Sequence, residues 1–126
     1  MRIPAFLAAL ALSALAPSAL LAHVELAAST PEAGSAVKAP KAITLTFSQP
    51  VDASSAAASI VMTAMPGMAN HGEMVIRNFT ASWSPDGRTM TLALKKPLQA
   101  GTYEVRWQAA AADSHPMSGT VTFEVR

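Results

Sequence analysis

Ile43-Thr44-Leu45-Thr46-Phe47 alternates a large apolar side chain with a threonine at every step. Successive side chains of an extended strand point to opposite faces. A period of two therefore puts Ile43, Leu45 and Phe47 on one buried face and the threonines on the other. The same period recurs in Met90-Thr91-Leu92-Ala93-Leu94, in Tyr103-Glu104-Val105-Arg106-Trp107 and in Val121-Thr122-Phe123-Glu124-Val125. Residues 24–28, 59–63 and 74–79 are less regular strand candidates. Thr30-Pro31-Glu32-Ala33-Gly34, Ser84-Pro85-Asp86-Gly87 and Gln99-Ala100-Gly101 supply the Pro, Asp and Gly that reverse a chain. Seven short strands over roughly 100 residues predict an all-β fold, an antiparallel β-sandwich or small barrel. Residues 53–58 are small, which suits either a loop or a short helical turn. Neither an internal repeat nor a second domain is visible.

The opening residues have a different character. Met1-Arg2 is followed by an uncharged, almost wholly apolar run to Leu21. A short basic start and an apolar stretch predict a secretory signal peptide over residues 1–22. A retained membrane anchor is the competing expectation, because about 20 apolar residues can span a bilayer; Pro4 and Pro17 weigh against it. Cleavage after Ala22 would make His23 the first residue and leave a single domain, residues 23–126. Ala22 suits the cut, whereas Leu20 departs from the Ala-x-Ala pattern.

Loss of Arg2 would leave basic and acidic residues balanced, with eight acids in the chain. That balance argues against a nucleic-acid partner or a polybasic membrane surface. The chain has no cysteine, so neither a disulfide nor a thiolate ligand is available.

Two stretches interrupt the strand rhythm and carry the chemistry. The first is Met62-x-x-Met65-x-x-Met68-x-x-His71-x-x-Met74, which holds four of the seven methionines and one histidine at a constant spacing. Thioether sulfur is soft and favours Cu(I) over Zn²⁺, Ca²⁺ or Mg²⁺. Pro66-Gly67 breaks any helix and lets the chain fold back, so several sulfurs can converge on one ion. Methionine also fills core gaps, and Met62, ending an apolar strand, suits that role equally. Met65, Met68 and Met74 lie among Gly67, Asn70, Gly72 and Glu73, where ligation is the better account.

The second stretch is Asp113-Ser114-His115-Pro116. In extended chain, residues two apart face the same way, and Pro116 biases His115 toward that conformation. Carboxylate and imidazole form a harder set, suited to Cu(II) or Zn²⁺; an ordinary polar loop is the alternative. If His23 becomes an amino terminus, its amine and imidazole bring the set to four donors, matching the tetragonal preference of Cu(II). Two donor sets of opposite softness suggest one site for each oxidation state of copper.

At these residues the sequence resembles the CopC/PcoC family of periplasmic copper-resistance proteins, over the whole of residues 23–126. The resemblance is carried by Val61-Met62-Thr63-Ala64-Met65-Pro66-Gly67-Met68, by Leu98-x-Ala100-Gly101-Thr102-Tyr103-x-Val105-x-Trp107, and by Asp113-Ser114-His115-Pro116-Met117-Ser118-Gly119 running into Val121-x-Phe123-x-Val125. It implies an Ig-like Greek-key sandwich in the periplasm. It implies a Cu(II) site from His23, Asp113 and His115, and a Cu(I) site from Met62, Met65, Met68, His71 and Met74. It also implies handover to an inner-membrane copper transporter or a periplasmic oxidase. One departure is Gln49, which stands where some members carry a glutamate; a neutral amide orients ligands and does not replace a carboxylate.

A monomeric, non-enzymatic copper carrier or buffer is the expectation. A histidine-brace copper mono-oxygenase and a metal-free structural sandwich are the alternatives. No hydrolytic nucleophile–base pair is evident, since Ser114 merely adjoins His115.

Overall fold

The computed structural model describes residues 23–68, 72–112 and 115–126. The expected signal peptide, residues 1–22, lies outside them, as do His71, Asp113 and Ser114.

Among the described residues, nine strands form two sheets. They are β1 (Leu26–Thr30), β2 (Ala36–Val37), β3 (Ala42–Phe47), β4 (Ala57–Ala64), β5 (Met74–Ile76), β6 (Phe79–Trp83), β7 (Thr89–Leu94), β8 (Gly101–Ala109) and β9 (Met117–Val125). One sheet has the order β1-β3-β7-β6 and the other β2-β9-β8-β4-β5. The chain changes sheets between β1 and β2, β2 and β3, β3 and β4, β5 and β6, and β7 and β8. The all-β sandwich expected from the alternation is therefore present.

Two details differ from the seven expected strands. Residues 74–79 are not one strand: β5 pairs with β4 in one sheet, the chain crosses at Arg77-Asn78, and β6 pairs with β7 in the other. The two-residue β2 lies parallel to the end of β9 and is too short to show a period. Residues 53–58 resolve into a 3-10 turn, Ala53–Ser55, whose Asp52 cap accepts from the Ser54 N–H, followed by the start of β4.

The alternating residues form the core. Ile43, Leu45, Phe47, Leu92, Tyr103, Val105 and Phe123 are essentially inaccessible, and no charged or polar side chain is buried with them among the described residues. Burying each large apolar side chain contributes about 1.5–3 kcal/mol. Tyr103 stacks on Phe123 with ring centroids 5.7 Å apart, and its hydroxyl donates to the Gln99 carbonyl at 2.7 Å. Phe47 meets Trp107 edge-on at 5.2 Å and Trp83 at 6.1 Å.

Register fixes which loops share an end. β4 runs from Ala57 opposite Gln108 to Ala64 opposite Thr102, and β9 starts with Met117 opposite Ala109 and ends with Val125 opposite Gly101. The approach to β1, the exit of β3 and the β8–β9 connection thus meet at one end. The β4–β5 connection, with its methionines, leaves from the other. At about 3.3 Å per residue the nine residues of β8 separate the ends by roughly 25 Å.

Candidate metal centres

At the first end, His23 is exposed and Val24, next to it, is completely buried. That anchor fixes where the histidine emerges. Polar contacts tighten it: the Glu25 N–H donates to Ser48 Oγ at 2.9 Å, the Ser48 N–H to the Glu25 carbonyl at 2.8 Å, and Gln49 Nε2 to the His23 carbonyl at 3.0 Å. His115 sits two residues before β9 begins. Its ring lies 6.4 Å from that of His23, centroid to centroid, with the planes 23° apart. Two metal–imidazole bonds of about 2 Å each fit between rings at that separation when a nitrogen of each turns inward. The Asp52 N–H donates to the Ala110 carbonyl at 2.9 Å, and Ser55 Oγ both accepts from the Ala110 N–H at 3.1 Å and contacts its carbonyl at 3.2 Å. These bonds hold the chain where it leaves β8 for the second histidine.

In the sequence, Gln49 stood out only as a residue able to orient a ligand. Its hydrogen bond to the His23 backbone reaches 26 positions back along the chain and depends on the β1–β3 pairing that brings the two segments together.

At the other end, the register of β4 against β8 slips between Met62 and Ala64. Such a bulge bends the strand and re-aims the residues beyond it. The next four residues form a tight turn: the Met68 N–H donates to the Met65 carbonyl at 3.1 Å, Pro66 takes the first corner, and Gly67 takes the second with φ +77°. Pro followed by a positive-φ Gly is the type II pattern. Met65 and Met68 face each other as an antiparallel bridge, which directs both side chains to one side. Met65 is half-buried and Met68 is 52% exposed.

Met62 and Met74 are directly opposite in the β4–β5 ladder, so they too share a face. Their environments differ. Met62 is 3% exposed within the core cluster and Met74 is 46% exposed. Both line a shallow concavity of ≈ 240 Å³ that includes Ile76, Leu98 and Tyr103. The structure thus puts Met62 on the core-filling side of its two expected roles.

An ion pair missed in the sequence ties this loop down. Arg106 on β8 contacts Glu73 Oε2 through Nη2 at 2.7 Å and Oε1 through Nη1 at 3.4 Å, and its Nε donates to Glu104 Oε1 at 3.0 Å. The hydrogen bond and charge of Arg106 hold the Glu73 carboxyl below the usual carboxylate range. Glu104 and Arg106, two apart on a strand, are legible as neighbours on one face; the link to Glu73 needs the β4–β5 hairpin.

Among the described residues no three His, Cys, Asp or Glu side chains converge. The expected fourth partners, Asp113 and His71, lie outside those residues, and methionine sulfur is a donor of a different kind.

Residues 26–126 match the CopC domain model. The chain belongs to the CopC domain family. Copper resistance protein C of Pseudomonas syringae pv. tomato is 43% identical over 121 residues, covering 96% of this chain and 91% of that protein. Copper resistance protein C of Escherichia coli is 41% identical over 106 residues, covering 84% and 83% respectively. The crystal structure of PcoC, described as a methionine-rich copper resistance protein from Escherichia coli, superposes with a TM-score of 0.74 at 37% identity, covering 83% of this chain and all of that one. The family that the sequence resembles is therefore the family found.

Proposed function

We propose that this chain is an exported, periplasmic copper carrier or buffer with two sites, and not an enzyme. Met65, Met68, Met74 and His71 hold Cu(I) at one end, over a floor that includes Met62. His23, His115 and Asp113 hold Cu(II) at the other. The observation that carries this proposal is that Met65, Met68 and Met74 lie at one end of the sandwich and His23 and His115 at the other. A single mixed site would have to compromise between the ligand preferences of the two oxidation states.

Removal of residues 1–22 would add the His23 amine to the Cu(II) set. The Gln49 bond engages the His23 carbonyl, which is not one of the two groups that would chelate together. Thioethers need no deprotonation, whereas amine and imidazole ligands do, so Cu(I) binding should survive mildly acidic conditions better than Cu(II) binding. Were an external one-electron oxidant to convert the bound Cu(I) to Cu(II), the thioethers would become poor ligands and release to a nitrogen site would be favoured.

The test is a crossed pair of variants. Met65→Leu with Met68→Leu is expected to weaken Cu(I) binding by about 100-fold or more, beyond the effect of losing an outer partner, and to leave Cu(II) binding unchanged. His23→Ala is expected to do the reverse. Equal losses in both oxidation states, or none, would refute the two-site assignment. Intact mass of the exported protein reports the cut after Ala22, and native mass spectrometry on the same sample counts coppers.

A further inference from the structure

Charge is distributed between the two ends as unevenly as the donors are. Lys38, Lys41, Arg77, Lys95 and Lys96 all sit on connections at the methionine end. Lys38 follows β2, whose Val37 pairs with Val125 at the end of β9. The Lys41 carbonyl accepts from the Leu94 N–H at the end of β7, and the Lys95 N–H donates to the carbonyl of Asn78, the neighbour of Arg77. Lys96 lines the same concavity as Met62 and Met74. Among the described residues none of these five cations is ion-paired; the ion pairs are those of Arg106 with Glu73 and Glu104. The histidine end carries Glu25, Asp52 and Asp86, with Arg88 as its cation among the described residues. The methionine end also carries Glu124, opposite Thr102 near the end of β9, and Arg126, so with Arg106 set against Glu73 and Glu104 the excess at that end is basic and the excess at the other acidic.

We propose that the basic rim around the methionine loop is the docking face for a protein partner whose own copper acceptor is surrounded by acidic side chains. Such a partner is drawn to the methionine end and repelled by the histidine end, so the field selects both partner and orientation before contact. An anionic membrane would feel the same field. The tip favours a protein. Among the described residues its exposed large apolar side chains are Met68, Met74 and Val75, without the exposed Trp, Phe or Leu that anchors interfacial segments in lipid. Copper leaving thioethers also needs new donor side chains, which a lipid surface lacks. The transfer step rests on the methionine loop being the Cu(I) site; the docking step does not.

The probe is a synthetic peptide with a methionine- and histidine-containing core flanked by glutamates, compared with its glutamine analogue. At low ionic strength (about 0.01 M, Debye length about 30 Å) Cu(I) is expected to pass from the loaded protein to the glutamate peptide about tenfold faster or more. The advantage should close near 1 M salt, where the Debye length is about 3 Å. Lys41→Glu with Lys95→Glu should abolish the advantage with Cu(I) affinity intact, and the milder Lys41→Gln with Lys95→Gln should halve it or more. Equal rates to the two peptides at low salt, or an advantage that survives charge reversal, would overturn the proposal. Tighter binding of metal-free protein to phosphatidylglycerol vesicles than to the glutamate peptide would overturn it in favour of a membrane. If the loop takes no Cu(I), amide shifts of metal-free protein titrated with the glutamate peptide decide: changes clustered at residues 38–41 and 95–96 sustain the docking face, and their absence removes it.

Discussion

The two proposed metal sites of this sandwich differ in what holds their donors. At the histidine end, a fully buried Val24, a backbone bond and a Ser48 hydroxyl bond between residues 25 and 48, and the Gln49 side chain fix His23 before any ion arrives. At the methionine end, a bulge and a four-residue turn carry half-exposed thioethers on flexible side chains. Preorganised donors suit Cu(II), which demands tetragonal geometry. Unbranched, polarisable side chains suit Cu(I), which a few sulfurs satisfy in many arrangements. On the proposed assignment, one fold supplies a rigid site and an adaptable one by varying what anchors each loop.

The sharpest way to break this contrast is within the methionines themselves. If Met62 belongs to the core and Met68 to the adaptable site, truncating them has opposite consequences. Met62→Ala should cost about 2–5 kcal/mol of stability in the metal-free protein. Met68→Ala should stay within about 0.5 kcal/mol and instead weaken Cu(I) binding. Urea unfolding of both apo-variants checks the first half, and competition for Cu(I) checks the second. Equal stability losses would mean that the loop is as tightly packed as the core.

Glycines sharpen the same comparison. A Cβ on Gly119 would lie 2.7–2.9 Å from the Trp107 ring, which rests on the β9 backbone there with its Nε1–H buried and without an acceptor among the described residues. Gly119→Ala should therefore cost about 1–3 kcal/mol through overpacking and disturb the strand that leads from His115. Gly67 has nothing within 4 Å, but its φ is +77°. Gly67→Ala should cost about 1 kcal/mol through backbone strain alone, while loosening the turn that pairs Met65 with Met68. Thermal unfolding ranks the two, and a larger loss at Gly67 would contradict an open methionine end.

How far the sequence discloses these features follows the range of the interactions involved. Strand β3 is legible because one face is buried along its whole length, so Ile43, Leu45 and Phe47 advertise their period. Strand β5 merges with β6 in the sequence because three largely exposed residues show no period, and the crossing at Arg77-Asn78 carries no Gly or Pro to mark it. The donors of both candidate sites are legible because methionine and histidine are chemically distinctive and sit on interruptions of the pattern. The groups that position them are not. Gln49 on His23 and Arg106 on Glu73 are ordinary polar residues whose partners lie 26 and 33 positions away, and only tertiary pairing brings them together.

Those positioning groups give the next test. Gln49→Leu removes the bond to the His23 carbonyl without touching a donor. A rigid site should feel that loss: Cu(II) binding is expected to weaken by about tenfold, with Cu(I) binding unchanged. Isothermal titration in each oxidation state checks it, and an unchanged Cu(II) affinity would show that Val24 alone fixes His23.

The smallest effect is expected at the corresponding tether of the methionine loop. Arg106 and Glu73 are 41% and 57% exposed, so water and salt screen their attraction. Their two-point contact still limits where the residue before Met74 can go. Arg106→Gln should therefore weaken Cu(I) binding by less than about fivefold, and wild-type affinity should approach that of the variant as salt rises. The unequal outcome is the point of the pair. An adaptable site re-forms around its ion when a tether is cut, whereas a preorganised one cannot. If Arg106→Gln cost as much as Gln49→Leu, the methionine loop would be a rigid site as well, and exposure of its sulfurs would have to be explained by access for a partner rather than by adaptability.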